Sequence, residues 1–130
     1  MTGSPDESPR QSLLSPENRP VSIGTTALIS LFAVEYIAVG TAMPSVARAL
    51  DGLGLYALAF GATIAASVIG MILGGWWSDR SGPRAVLFTG ATVFAGGLLG
   101  AGLSTSMEMF VAARGLQGLG SGMSIVAIYV

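Results

Sequence analysis

Two charged residues stand inside long apolar stretches of this sequence, and their types suit the handling of protons. Glu35 is preceded by Leu31-Phe32-Ala33-Val34 and followed by Tyr36-Ile37-Ala38-Val39. A carboxylate within the bilayer core is costly and rare, so a glutamate at such a place is a candidate to take up and release a proton as its access to water alternates. A structural carboxylate neutralised by a partner is the competing reading. Arg114 opens a run in which Gln117, Gly118, Ser121 and Gly122 follow at i+3, i+4, i+7 and i+8. On a helix these positions share one face: Arg114, Gln117 and Ser121 form a polar seam, and the glycines open space beside it. Tyr36 offers an aromatic contact to a cavity, together with Gln117 and Ser121. Thr25, Thr41 and Thr63 are weaker candidates, because hydroxyls inside membrane helices usually bond back to their own carbonyls.

Other chemistries find no residues. The chain has no cysteine and no histidine, so thiol nucleophiles, disulfides, thiolate metal sites and imidazole proton relays are excluded. Without a nucleophile and base, a metal cluster or a phosphate-binding loop, an enzyme is not expected, and neither a metal nor a cofactor is implied. A net charge of -1 with a pI near 5.1 leaves no basic patch for nucleic acid.

The elements that must position these residues are membrane helices. Of the 130 residues, 52% are hydrophobic and 10% charged, and the mean hydropathy is +0.70, which is too apolar for an ordinary soluble domain. The expected fold class is an all-α membrane protein with four transmembrane helices, at about 22–46, 56–77, 85–103 and 109–130. Each is long enough to cross about 30 Å of hydrocarbon. Residues 1–21, with Pro5, Pro9, Pro16 and Pro20 among serines and charges, read as a disordered tail, and residues 22–130 as the transmembrane domain. The first apolar run begins too late and runs too long for a cleavable signal peptide. Every cation is an arginine. Arg10 and Arg19 in the tail and Arg80 and Arg84 in the second connection place both on the cytoplasmic side of the cell membrane. With that orientation Glu35 lies about 20 Å into its helix from the inside and Arg114 about 8 to 10 Å into its own from the outside. The two then share nearly one level of the bilayer, which makes Glu35 and Arg114 a candidate proton-coupling pair. Pro44, near the end of the first helix, is expected to break backbone bonding locally.

Glycine supplies the packing. Gly70-x-x-x-Gly74, Gly96-x-x-x-Gly100 and Gly118-x-x-x-Gly122 give three of the four helices a flat groove for close approach. Between the second and third helices stands a charged hinge, Asp79-Arg80-Ser81-Gly82-Pro83-Arg84-Ala85, preceded by Gly74-Gly75-Trp76-Trp77. The indoles suit the membrane surface, and Gly82 suits a positive φ.

The pattern Gly75-x-x-x-Asp79-Arg80-x-Gly82-x-Arg84-x-x-Leu87 resembles the signature loop between the second and third helices of the major facilitator superfamily. Arg114-Gly115-Leu116-Gln117-Gly118-x-Gly120 resembles that superfamily's fourth-helix motif, and Glu35 to Pro44 is similar to a divergent first-helix motif with glutamate where aspartate is usual. Pro83 departs from the pattern, since a basic residue is common there. The resemblance covers residues 22–130 and implies part of the amino-terminal helical bundle of a drug-to-proton antiporter, with the fourteen-span branch as one candidate. It implies that Gly75, Asp79, Arg80, Gly82 and Arg84 form a gating loop, and that Arg114 lies in the transport cavity. Its partners would be a small-molecule substrate, protons, the lipid bilayer, and the missing carboxy-terminal helices or another chain, since four helices do not make two bundles. A truncated product of a longer protein is therefore expected. Two alternatives stay open. One is a small multidrug-resistance-like transporter of four helices acting as a homodimer, although that family lacks the Asp-Arg-x-Gly loop. The other is a fragment that transports nothing and interacts with other membrane proteins through its glycine grooves.

Overall fold

A computed structural model describes residues 19–130. Its helices are α1 (Arg19–Ala49), α2 (Tyr56–Ser81), α3 (Pro83–Gly102) and α4 (Met107–Tyr129), with a single 3-10 turn at Leu53–Leu55 before α2. The chain forms two compact units divided after Tyr36. The expected tail falls largely on residues 1–18, outside the described residues. Arg19, Pro20 and Val21, assigned to that tail, are instead helical. A proline in the first turn loses no helix bond, because the first four N–H groups have no partner in the helix anyway.

In the first unit the described residues are the amino-terminal part of α1. Val21, Ile23, Ile29, Leu31 and Val34 are all exposed. Large apolar side chains turned outward suit a hydrocarbon solvent, and a helix satisfies its own backbone there. Further along, in the second unit, Pro44 sits inside α1 without ending it. Its missing N–H withdraws one bond from the Gly40 carbonyl.

The second unit is built around α4, which packs against both α2 and α3, while α2 and α3 have little contact with each other. At the start of α4 the side chains of Met43, Ala59, Met107 and Phe110 form one apolar cluster, and near its end Val86, Met123 and Ala127 form another, with Trp77 and Leu87 against it. Between the clusters the contact is made by backbone. Gly118 faces the Thr63 carbonyl and Gly122 the Ser67 carbonyl, while from the other side Gly70 faces the Leu119 carbonyl and Gly74 the Met123 backbone. The two glycine pairs expected in α2 and α4 are thus pressed reciprocally into each other's helix.

The third expected pair is different. Gly96 has open space beside it and Gly100 makes only ordinary contact with the Ala113 methyl group. The close approach of α3 to α4 uses Gly90 and Gly97 instead, two turns apart on another face, against Gly120, Ser124 and Gln117. Four-residue spacing marks a flat strip on a helix but does not say which strip meets a partner.

Three helices, α1, the 3-10 turn with α2, and α3, are long and apolar enough by themselves to cross a membrane. The fourth, α4, is 23 residues long and carries Arg114, Gln117, Ser121 and Ser124 among its glycines. Its polarity is accommodated because α4 is the helix most enclosed by its neighbours. It begins at Met107, two residues earlier than expected, because Ser106 caps it: the Ser106 hydroxyl accepts from the Met109 amide at 3.2 Å.

Replacing Gly122 by leucine is expected to lower stability by about 1 to 3 kcal/mol through overpacking against α2. Gly61→Ala, where nothing lies within 4 Å, is expected not to lower it. Thermal unfolding followed by circular dichroism in mild detergent distinguishes the two.

Candidate functional site

The polar seam of α4 lies inside the bundle. Arg114 and Gln117 are each 1% exposed and Ser124 is fully buried, with Ser121 partly buried between them. Arg114 Nη1 donates to Gln117 Oε1 at 2.8 Å. A guanidinium taken out of solvent needs such acceptors, because burying it uncompensated costs several kcal/mol, on the order of the penalties for any buried ion. The serines spend their protons locally: Ser121 Oγ donates to the Gly118 carbonyl at 2.9 Å and Ser124 Oγ to the Gly120 carbonyl at 2.9 Å. Their oxygens remain acceptors. Thr41 and Thr63 likewise bond back to carbonyls of their own helices. The chemistry of the seam therefore rests on the Arg114–Gln117 pair, a cation held by a neutral amide.

Ser124 was not singled out in the sequence, although it continues the same face at i+10 from Arg114. Ser78 was also missed. It is buried near the end of α2, and its hydroxyl has no hydrogen-bond partner among the described residues. No spacing signal marks it. Beside the seam, α3 and α4 enclose an apolar groove of about 330 Å³, lined by Gly96, Gly97, Gly100, Met109, Ala113 and Leu116 among others.

Glu35 and Tyr36 belong to the first unit. Glu35 is half-buried, whereas the Tyr36 ring is 60% exposed. Within the second unit the structure brings together Arg114, Gln117 and Ser121.

The hinge is shorter than its charges suggest. Helix α2 continues through Asp79, Arg80 and Ser81, and α3 begins at Pro83, so Gly82 alone joins them. The Gly82 amide donates to the Ser78 carbonyl at 3.0 Å, which closes the last turn, and Pro83 opens the next helix where no N–H is required. Gly82 has φ 83° and ψ 154°, a region that only glycine occupies readily. Asp79, Arg80 and Arg84 are exposed around this corner. The Arg80 guanidinium lies 3.8 Å from the centre of the Trp76 ring, a cation–π contact. Trp76 is 62% exposed while Trp77 packs inward, so the paired indoles have separate roles. A Cβ added at Gly75 would meet the Val126 side chain only at ordinary van der Waals distance.

The sequence model of the Major Facilitator Superfamily matches residues 25–130. MdtD of Klebsiella pneumoniae, a protein named for multidrug resistance, is 33% identical over 88 residues, which are 67% of this chain and 19% of that protein. An uncharacterized MFS-type transporter of Schizosaccharomyces pombe is 30% identical over 129 residues, 96% of this chain and 22% of its own length. The arabinose-proton symporter of Escherichia coli is 38% identical over 58 residues, 45% of this chain and 12% of the symporter. The chain thus spans about a fifth of the length of the first two of these relatives. No solved structure matches.

The corner offers a test of its own. Gly82→Ala is expected to destabilise the α2–α3 junction by about 1 to 3 kcal/mol, the usual cost of a strained backbone conformation. Ser81→Ala is expected to change stability by less than about 0.5 kcal/mol. Denaturation midpoints of the purified variants give both values.

Proposed function

The chain belongs to the Major Facilitator Superfamily, and from that premise we propose that it forms the amino-terminal helices of a proton-coupled exporter of drugs or other small lipophilic molecules. It is a multi-pass membrane protein of a transporter family. Export of drugs is supported by the likeness to MdtD, and proton coupling by the likeness to a sugar-proton symporter. The observation that carries the reading is the buried Arg114–Gln117 pair of α4. An ion pair at a helix end would serve packing and solubility. A guanidinium kept inside an apolar bundle is an expensive feature whose use is to attract a negative charge.

Glu35 is the proposed counterpart. Its carboxyl would exchange a proton as one side of the membrane and then the other gains access. Tyr36, Gln117 and Ser121 would line the path of the substrate, and residues 22–130 would form the membrane domain. The remaining helices of the transporter would supply the other wall of the cavity. Exposed Arg80 and Arg84 favour a cytoplasmic corner between α2 and α3, with the amino terminus on the same side. In this reading Gly75, Asp79, Arg80, Gly82 and Arg84 act as a gate, and the Arg80–Trp76 contact holds the guanidinium at the membrane surface.

Proteoliposomes containing the transporter that includes this chain test the proposal. A pH gradient imposed across the membrane is expected to drive ethidium against its own gradient. Glu35→Gln is expected to reduce this movement by more than about tenfold, equivalent to about 1.4 kcal/mol. Arg114→Ala is expected to do the same. Undiminished transport by Glu35→Gln would defeat the coupling role, and substrate movement in the same direction as the proton would replace export by symport.

A further inference from the structure

We propose that Gln117 is a positioning residue for the Arg114 guanidinium and that Gly97 of α3 seats it. The proposal deepens the reading above, since it takes Arg114 to be the functional cation. An arginine side chain has about 2 kcal/mol of rotamer entropy to lose, so a guanidinium aimed in one direction needs a fixed acceptor. Gln117 Oε1 provides one at 2.8 Å from Nη1, a turn further along the same helix. Glutamine is itself flexible, and it fixes nothing unless its own stem is held.

Gly97 supplies the hold. A Cβ added there would lie 2.6 Å from the Gln117 backbone nitrogen, 2.7 Å from Gln117 Cγ and 2.9 Å from the Ala113 backbone carbonyl oxygen. The α3 backbone therefore runs flat against the turn from Ala113 to Gln117 and walls one side of the glutamine stem, leaving the amide head to meet Arg114. No side chain at position 97 could stand there without displacing that stem and the α4 backbone beside it. Gly96, the adjacent residue, has nothing within 4 Å, so the effect belongs to one face of α3 and not to glycine in general. It follows that the spacing between α3 and α4 is read out in the direction of a guanidinium: α3 touches Gln117, and Gln117 touches Arg114. Gln117 thereby gains, beside its place along the substrate path, the task of orienting the Arg114 guanidinium.

Nitrogen-15 spectra of arginine-labelled protein in detergent micelles test this without any transport. The Arg114 Nη protons, assigned by their loss in Arg114→Ala, are expected to be sharp and slow to exchange with water. Gln117→Leu, similar in volume but without an acceptor, is expected to broaden them and speed exchange by about tenfold or more, the equivalent of about 1.4 kcal/mol. Gln117→Glu restores an acceptor and is expected to restore the signal. Gly97→Ala is expected to resemble Gln117→Leu, and Gly96→Ala the wild type. An Arg114 signal unchanged in Gln117→Leu overturns the positioning role, and equal behaviour of Gly97→Ala and Gly96→Ala overturns the seat. Gln117→Glu keeps the shape of glutamine, so its rescue of the signal decides the first point even where Gly97→Ala or Gln117→Leu lowers the folded fraction. A positive result with proton-driven transport intact in Arg114→Ala would leave the positioning in place and defeat only the coupling role.

Discussion

Everything in the second unit depends on α4 coming within backbone contact of two other helices at once. In hydrocarbon there is no gain from hiding one apolar surface against another, so association rests on how closely atoms can be brought together. Gly118 and Gly122 let α4 meet the carbonyls of α2, and Gly120 lets it meet Gly90 and Phe94 of α3. Side chains do the remaining work at the two ends, where Met107 and Phe110 and then Met123 and Ala127 close the clusters. A helix of such polarity is not apolar enough to stand among lipids unaided. Its neighbours supply the surroundings it needs, and the glycines allow them to come near.

The same closeness makes a buried cation tolerable. Arg114 lies a turn after the Phe110 cluster and within reach of Gln117, so its charge is presented to a neutral amide in a place shielded from solvent. Shielding strengthens any later encounter with a negative group, because electrostatic attraction grows as the effective dielectric falls. Packing and chemistry are therefore not separate properties of α4. Loosening the helix contacts would admit water to the guanidinium.

Much of this was legible in the residue order. The 3.6-residue period of Arg114, Gln117 and Ser121 points to one face, and that face is enclosed, because polar residues on an otherwise apolar helix have only the interior to turn to. The positive φ of Gly82 was legible too, since a glycine followed by proline between helices has few other uses. The errors came from elsewhere. Polarity in Asp79-Arg80-Ser81 reads as a loop, but exposed charges do not interrupt backbone bonding, and α2 runs on through them. Gly96 and Gly100 have the spacing of a packing motif, yet the partner helix meets Gly90 and Gly97, a choice made by three-dimensional arrangement that local spacing does not encode. Ser124 lay in register with the seam and needed only the period to be carried one step further.

The corner at Gly82 has a mechanical meaning. A tether of several residues would let two helices tilt independently and absorb the difference as slack. One glycine, bonded back to Ser78 and followed by a proline, has little slack to offer. A swing of the last turn of α2 is delivered to the first turn of α3 through a single residue. The junction behaves as an elbow between two rods, not as a leash.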